Sequence, residues 1–367
     1  MERSFISPTS ETKEAGVWIP SQLQTNLDFL EDFIDHCNHA NNRILVQNFY
    51  IEYGTNAERF EQALTNAAKR GVNVQLQSDG YRTLVTNGEP NIKPIFGTSA
   101  RQIRKQKQAN NAAMFEYMQT AGVEHIITNK PRGIKNLMKE IGRNHDKRFI
   151  VDDVAWSGGV NINDGEFKKI DFMVKLQDPR LVSVFSQTFD EVNDNKPDTD
   201  YEVDIYPYYT FMVDRGDHGK SLIYDRAVEL LEEDLSNITY ITQIPPSGRF
   251  LDALLKKAQT GTEIELILPK EGSHYLADGL HGYMYREFRK NIGYSPSVHI
   301  TNLDSDVHAK LLQVTHNNGQ RVAQFGSHNL SQLGVWAGTQ ESAFRTTDPD
   351  LNDQFEHYID NLLTSTG

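Results

Sequence analysis

Cysteine is nearly absent. Cys37 is the one cysteine among 367 residues, so no internal disulfide is possible and the fold must rest on its core, as expected in a reducing compartment. Long apolar runs are also missing: none approaches the ~18 residues of a membrane-spanning helix. The opening stretch, MERSFISPTSETKE, has neither an apolar core nor a small-residue cleavage site and does not read as a secretory signal. These absences predict a cytoplasmic protein, with contact at the inner face of a membrane left open. Positive charge is in deficit, with 37 Lys and Arg against 50 Asp and Glu and a net charge of −13. That balance disfavours non-specific coating of nucleic acid, which relies on many Lys and Arg contacts to phosphate. Glycine and proline, 25 and 13 residues, are too few for a low-complexity chain.

What remains is a globular composition, 38% hydrophobic and 24% charged. The length fits two domains of roughly 100–200 residues and is ample for a buried core. Charge is spread unevenly. From Arg101 to Arg148 there are eleven Lys or Arg against four Asp or Glu; from Asp190 to Asp204 there are seven acidic residues and one lysine. A basic region inside an acidic chain points to a specific anionic ligand. The competing reading is a solvated helix face at RQIRKQKQ.

The chain repeats itself. RFEQALTNAAKRG (59–71) and RFLDALLKKAQTG (249–261) align without a gap, 190 residues apart. Each reads as an amphipathic helix ending at glycine and running into a short apolar strand, VNVQLQ (72–77) or EIELIL (263–268). Each half then carries histidine, one residue, lysine and an apolar strand, at His145 and Lys147 and again at His308 and Lys310. A tight turn follows, at Asp152-Asp153 in the first copy and at Asn318-Gly319 in the second. Each return strand ends in Gly-Gly-Val-Asn or Gly-Ser-His-Asn. Helices alternating with strands predict an α/β protein of two repeated α-β-α sandwich halves, each with a mixed, largely parallel sheet, related by a pseudo-twofold. The expected organisation is an N-terminal extension (1–24), a first half (25–190), an acidic connection (191–218) and a second half (219–367).

Residues i and i+2 of a strand share a face, so each histidine is expected to project with its lysine. A pseudo-twofold would bring the two pairs to one point. Two ammonium groups there would hold the oxygens of a phosphate. One histidine could attack phosphorus and the other protonate the leaving oxygen, since imidazole titrates near neutrality. Asn161 and Asn329, at the ends of the return strands, are candidate amide donors to the same phosphate, with Ser327 beside them. Nothing in this arrangement calls for a cofactor. DSDVH (304–308) has metal-like residues, but its histidine belongs to the second pair, and no metal is expected.

These motifs resemble the phospholipase D superfamily, whose hallmark is H-x-K-x4-D twice per active site. The first copy has His145, Lys147 and Asp152; the second has His308 and Lys310, with Thr315 where the aspartate belongs. SGGVN and GSHN are similar to the family's glycine–asparagine element. Asp171, in KKIDFMV, and Glu341, in GTQESAF, match its downstream acidic positions. The resemblance implies a two-step reaction through a phosphohistidine, with His145 as nucleophile, because its motif is complete, and His308 as acid and then base. Asp152 and Glu341 would orient or support the histidines, and Asp171 would assist.

KRFIVDDVAWSGGVNIND and NLSQLGVWAGTQES look most like the cardiolipin synthase-like branch, which implies a phospholipid substrate and an alcohol or water acceptor. Lipid contact would then fall to the basic 101–148 region or to HGYMYREF (281–288). The alternatives are a metal-independent nuclease, disfavoured by net charge and by the lack of a basic–aromatic surface, and a non-catalytic anion-binding protein. With both motifs in one chain, no oligomer is required to complete the site.

Overall fold

The two RF segments fold as the helices α2 (Thr55–Lys69) and α6 (Arg249–Gln259). Their apolar residues recur every three or four positions, and Phe60, Ala63, Leu64 and Ala67 in the one and Phe250, Leu251, Leu254 and Ala258 in the other are buried. In the computed structural model, which describes residues 17–80, 98–129, 142–193, 199–270, 279–292 and 295–364, each helix is the crossover between two parallel strands. In the first half α2 joins β2 (Arg43–Asn48) to β3 (Asn73–Asp79); in the second, α6 joins β10 (Leu235–Ile241) to β11 (Glu263–Leu268).

The rest of the first half comprises β1 (Gln22–Thr25), α1 (Asn26–His39), α3 (Thr98–Thr120), β4 (Glu124–Thr128), β5 (Lys147–Val151), β6 (Val154–Gly158), β7 (Phe172–Leu176) and α4 (Pro179–Asn193). Its sheet has the order β1-β7-β6-β5-β2-β3-β4. The second half adds β8 (Tyr201–Ile205), β9 (Tyr209–Arg215), α5 (Leu222–Glu232), α7 (Gly279–Ile292), β12 (Val298–Asn302), β13 (Leu311–His316), β14 (Arg321–Gly326), α8 (Gln332–Ala337), β15 (Gln340–Thr346) and α9 (Pro349–Thr364). Its sheet runs β12-β11-β10-β13-β14-β15-β9-β8. The duplicated α/β architecture is as expected, and both sheets are mixed.

Three expectations need correction. Parallel pairing is the minority: it is confined to β2–β3 and β3–β4 in one sheet and β10–β11 and β11–β12 in the other. A parallel pair needs a crossover, whereas the motif strands β5–β6 and β13–β14 are joined by tight turns and must run antiparallel. The stretch 191–218 is more than a connection, because β8 and β9 within it form an edge of the second sheet. The extension 1–24 overlaps β1, whose residues pair with β7.

Three buried clusters hold the halves. Two lie within one half each. The third is shared: Ile150, Phe172 and Phe185 from the first half pack with Phe211, Leu311, Phe325 and Phe344 from the second. Phe172 meets Phe355 at 5.5 Å and Phe185 meets Phe344 at 5.6 Å between ring centres. Such aromatic contacts fix the two sheets against each other and so set the geometry of whatever lies between them. Among the described residues, no helix is long and apolar enough to cross a membrane. Residues 130–141 of the basic 101–148 region lie outside the described residues.

Candidate active site

Both His-x-Lys pairs stand where a hairpin begins. Lys147 opens β5, whereas Lys310 comes one residue and His308 three residues before β13. The histidines lie in extended lead-ins rather than in the strands themselves, because the lead-ins bond to the opposite half. The His145 N–H donates to the Gln340 carbonyl at 2.9 Å, and the Gln340 N–H donates to Arg143 O at 2.7 Å. In the second clip, the His308 N–H donates to Ile170 O at 2.8 Å and the Ile170 N–H to Asp306 O at 2.9 Å. The bridged pairs are Asn144–Gln340 and Ile170–Val307. One residue further on, each clip sets a motif histidine beside an acid of the other half.

The side chains complete the exchange. His145 Nδ1 is 2.9 Å from Glu341 Oε1. His308 Nδ1 is 2.7 Å from Asp171 Oδ2 and 3.1 Å from Glu166 Oε2. An Nδ1–H held by a carboxylate fixes the tautomer and leaves Nε2 for chemistry. The Phe49 ring stands edge-on to the His145 imidazole, 4.6 Å between centres. Lys147 Nζ donates to the carbonyl of His145 at 2.6 Å, and Lys310 Nζ donates to that of His308.

These groups are buried except His145, whose side chain is 15% exposed. Burial pushes the Lys147 ammonium down to about 7, with the charge of Lys310 adding to the effect. Burial likewise lowers Lys310 and both imidazoles, His308 more strongly than His145, against the opposing carboxylates. The charge of Lys310 acts on His145 and Lys147, and that of Lys147 on His308, so the two motifs form one electrostatic unit. The acids diverge. Burial raises Asp171 above its ordinary value. It would raise Glu341 too, but the charge and hydrogen bond of His145 outweigh it and hold that carboxyl far below the usual range. Burial thus disfavours a charge on either ring, and the facing carboxylates are what oppose it.

The glycine–asparagine elements frame the pairs. A Cβ on Gly159 would fall 2.5 Å from Asp171 Oδ1, so only glycine lets that carboxylate reach His308. The side-chain amide oxygens of Asn161 and Asn329 are buried without a hydrogen-bond partner. Ser327 Oγ donates to Ser342 O at 3.3 Å and accepts the Ser342 N–H at 3.1 Å, which commits its hydroxyl to β15.

Asp152 is not brought to the site. It closes the β5–β6 turn with φ of 50°, and its carboxylate accepts the N–H groups of Asn41, Asn42 and Arg43 at 2.8–2.9 Å. Five residues of strand separate it from Lys147, roughly 16 Å of extended chain. Thr315 stands near the corresponding end of β13, paired with Asn237 and Arg321. The missing second aspartate therefore touches neither histidine. Glu166, by contrast, was not anticipated: it belongs to no motif, and only its place five residues before Asp171 could have drawn notice.

Glu166, Asp171 and His308 offer ligand atoms within 4.8 Å of one another, the one such group of three or more among the described residues. Their spacing suits a divalent cation, and it equally follows from both carboxylates facing the single Nδ1–H of His308.

A family model described as "Cardiolipin synthase, PLD-like domain" matches residues 33–193 and 229–363, which include both motifs. No curated protein matches the sequence. Among solved structures, phosphatidylserine synthase of Haemophilus influenzae Rd KW20 is similar, with a TM-score of 0.67 at 14% identity over 90% of this chain and 83% of that one. Polyphosphate kinase of Porphyromonas gingivalis is also similar, with a TM-score of 0.58 at 14% identity over 94% of this chain. This chain spans half the length of that kinase, at 50%. At such identities the likenesses bear on fold alone.

Proposed function

The chain belongs to the phospholipase D-like family described for cardiolipin synthase, and from that premise we propose that it cleaves the phosphodiester of a phospholipid and passes the phosphatidyl group to an alcohol or to water. The observation that carries the reading is the pair of cross-half clips, which leave two carboxylate-held imidazoles and two lysines sharing one buried site.

In the first step His145 Nε2 attacks phosphorus. The P–N bond forms as the P–O bond to the leaving alcohol breaks, and His308 gives its Nε2 proton to the departing oxygen. In the second step His308 takes the proton of the incoming alcohol or water, whose oxygen bonds to phosphorus while the P–N bond breaks. Both rings return to their starting states. Lys147 and Lys310 neutralise the non-bridging oxygens as charge builds. Asn161 and Asn329 border the same phosphate. The carboxylate of Glu341 holds a proton on Nδ1 of His145 and leaves Nε2 free to attack, while the two carboxylates facing His308 favour a stored proton there. This division replaces motif completeness as the reason for making His145 the nucleophile. Access to lipid takes place at the surface of a membrane.

The test is product analysis by mass spectrometry after incubation with phosphatidylglycerol vesicles, with His145→Ala as control. Cardiolipin with free glycerol identifies a transferase, and phosphatidic acid identifies a hydrolase. An unchanged lipid profile contradicts the lipid reading.

A further inference from the structure

The two halves are duplicated, yet they hold their histidines unequally. Among the described residues His145 faces a single carboxylate, Glu341, and the Thr339 hydroxyl donates to Glu341 Oε1 at 3.1 Å. His308 has two carboxylates, Asp171 at 2.7 Å and Glu166 at 3.1 Å, both on Nδ1. Counting back five residues from each acidic partner gives the counterpart of Glu166: it is Trp336, which is 48% exposed and offers no acid.

Glu166 is built into place. It opens the 3-10 turn Glu166–Lys168 between β6 and β7, and only 7% of its surface is exposed. Its N–H donates to Asn163 Oδ1 at 3.0 Å, and its carbonyl accepts from Asn26 Nδ2 at 3.0 Å. One carboxylate oxygen, Oε1, bonds to Lys169; the other, Oε2, has no hydrogen-bond partner beyond its ion pair with His308. A buried carboxylate oxygen aimed at an imidazole stabilises the protonated ring.

We infer that Glu166 is the positioning residue that divides the labour between the two histidines, holding a proton on His308 so that His308 serves the leaving group and His145 attacks. The inference rests on the proposed two-step reaction. The Nδ1–H of His308 is shared between Asp171 and Glu166, and the Nε2–H goes to the leaving oxygen as the P–O bond breaks. A leaving group that departs as a stable anion needs no such proton, so the contribution of Glu166 must depend on the leaving group.

The experiment measures the first turnover of wild type and Glu166→Gln on two lipids in the same mixed micelles, phosphatidylglycerol and phosphatidyl-p-nitrophenol. Glycerol leaves only with a proton, whereas p-nitrophenolate leaves without one. We expect Glu166→Gln to lose about tenfold or more on phosphatidylglycerol and less than about threefold in the p-nitrophenolate burst. Lys169→Gln breaks the same salt bridge but leaves the carboxylate on His308, and should show no such split. Glu166→Asp serves if the amide variant folds poorly. Equal losses on both lipids, or none on either, overturn the assignment while wild-type turnover upholds the reaction. Absence of wild-type turnover on both lipids overturns the reaction and the assignment together.

Discussion

His145 and Glu341 lie 196 residues apart and meet at 2.9 Å, each supplied by a different half of the chain. The same exchange links His308 to Asp171. Neither half can therefore hold its own histidine in the working tautomer. Glu341→Gln removes the charge that stabilises the His145 imidazolium and sets a neutral amide against its ring. Turnover of phosphatidylglycerol should fall by about 10²-fold or more, while thermal unfolding under the same conditions changes little. A loss below about threefold would contradict the role given to this pair.

Asp152 should behave in the opposite way. Its carboxylate caps three backbone N–H groups far from the histidines. Asp152→Ala is expected to leave kcat within about twofold and to cost about 1–2 kcal/mol in urea unfolding. Burial alone would raise this carboxyl, but the backbone hydrogen bonds outweigh it and the folded pKa is depressed. Its stabilisation is thus full above the unfolded value near ~4 and is lost as pH falls through the lower folded value. The gap between wild type and variant should be constant near neutrality and should close in acid.

Thr315→Asp restores the second motif's missing residue. Because Thr315 sits at the distal end of β13, the change should alter kcat by less than about twofold. A large gain would mean that the aspartate reaches the chemistry by a route other than contact.

Lys147 supplies a pH test. Burial and Lys310 together bring its ammonium to about 7. As pH rises through that value in the free enzyme, the charge that receives phosphate is lost, so KM should climb from about pH 6 to about pH 8. In Lys147→Arg, which stays charged, the climb should disappear even if kcat is lower. A KM that is flat with pH in wild type would contradict the phosphate-binding role.

Much of this arrangement was legible in the sequence, for identifiable reasons. Helix and strand periods are local, so the repeat at Phe60 and Phe250 and both hairpins could be read directly. The convergence of His145, Lys147, His308 and Lys310 followed from the duplication. What failed was distance. Asp152 was grouped with His145 because both belong to one motif, although a five-residue strand carries it away. Glu166 escaped notice because its partner is 142 residues along the chain, in the other half. Even in α1 the buried face runs through Phe29, Leu30, Phe33 and Cys37, whereas the equally apolar Leu27 is 50% exposed. Cross-half packing, which no local pattern records, decided the place of Glu166, whereas contacts within the first half decided those of Asp152 and α1.

The most direct measurement is to map the covalent intermediate. His308→Ala lacks the base of the second step, so a phosphatidyl-p-nitrophenol substrate, which needs no acid in the first, should load the enzyme and leave it there. Peptide mass spectrometry at neutral pH should then find the phosphatidyl group on His145 and release of p-nitrophenolate limited to one equivalent. A wild-type enzyme that turns over while its adduct maps to His308, or that never carries an adduct, would contradict the account.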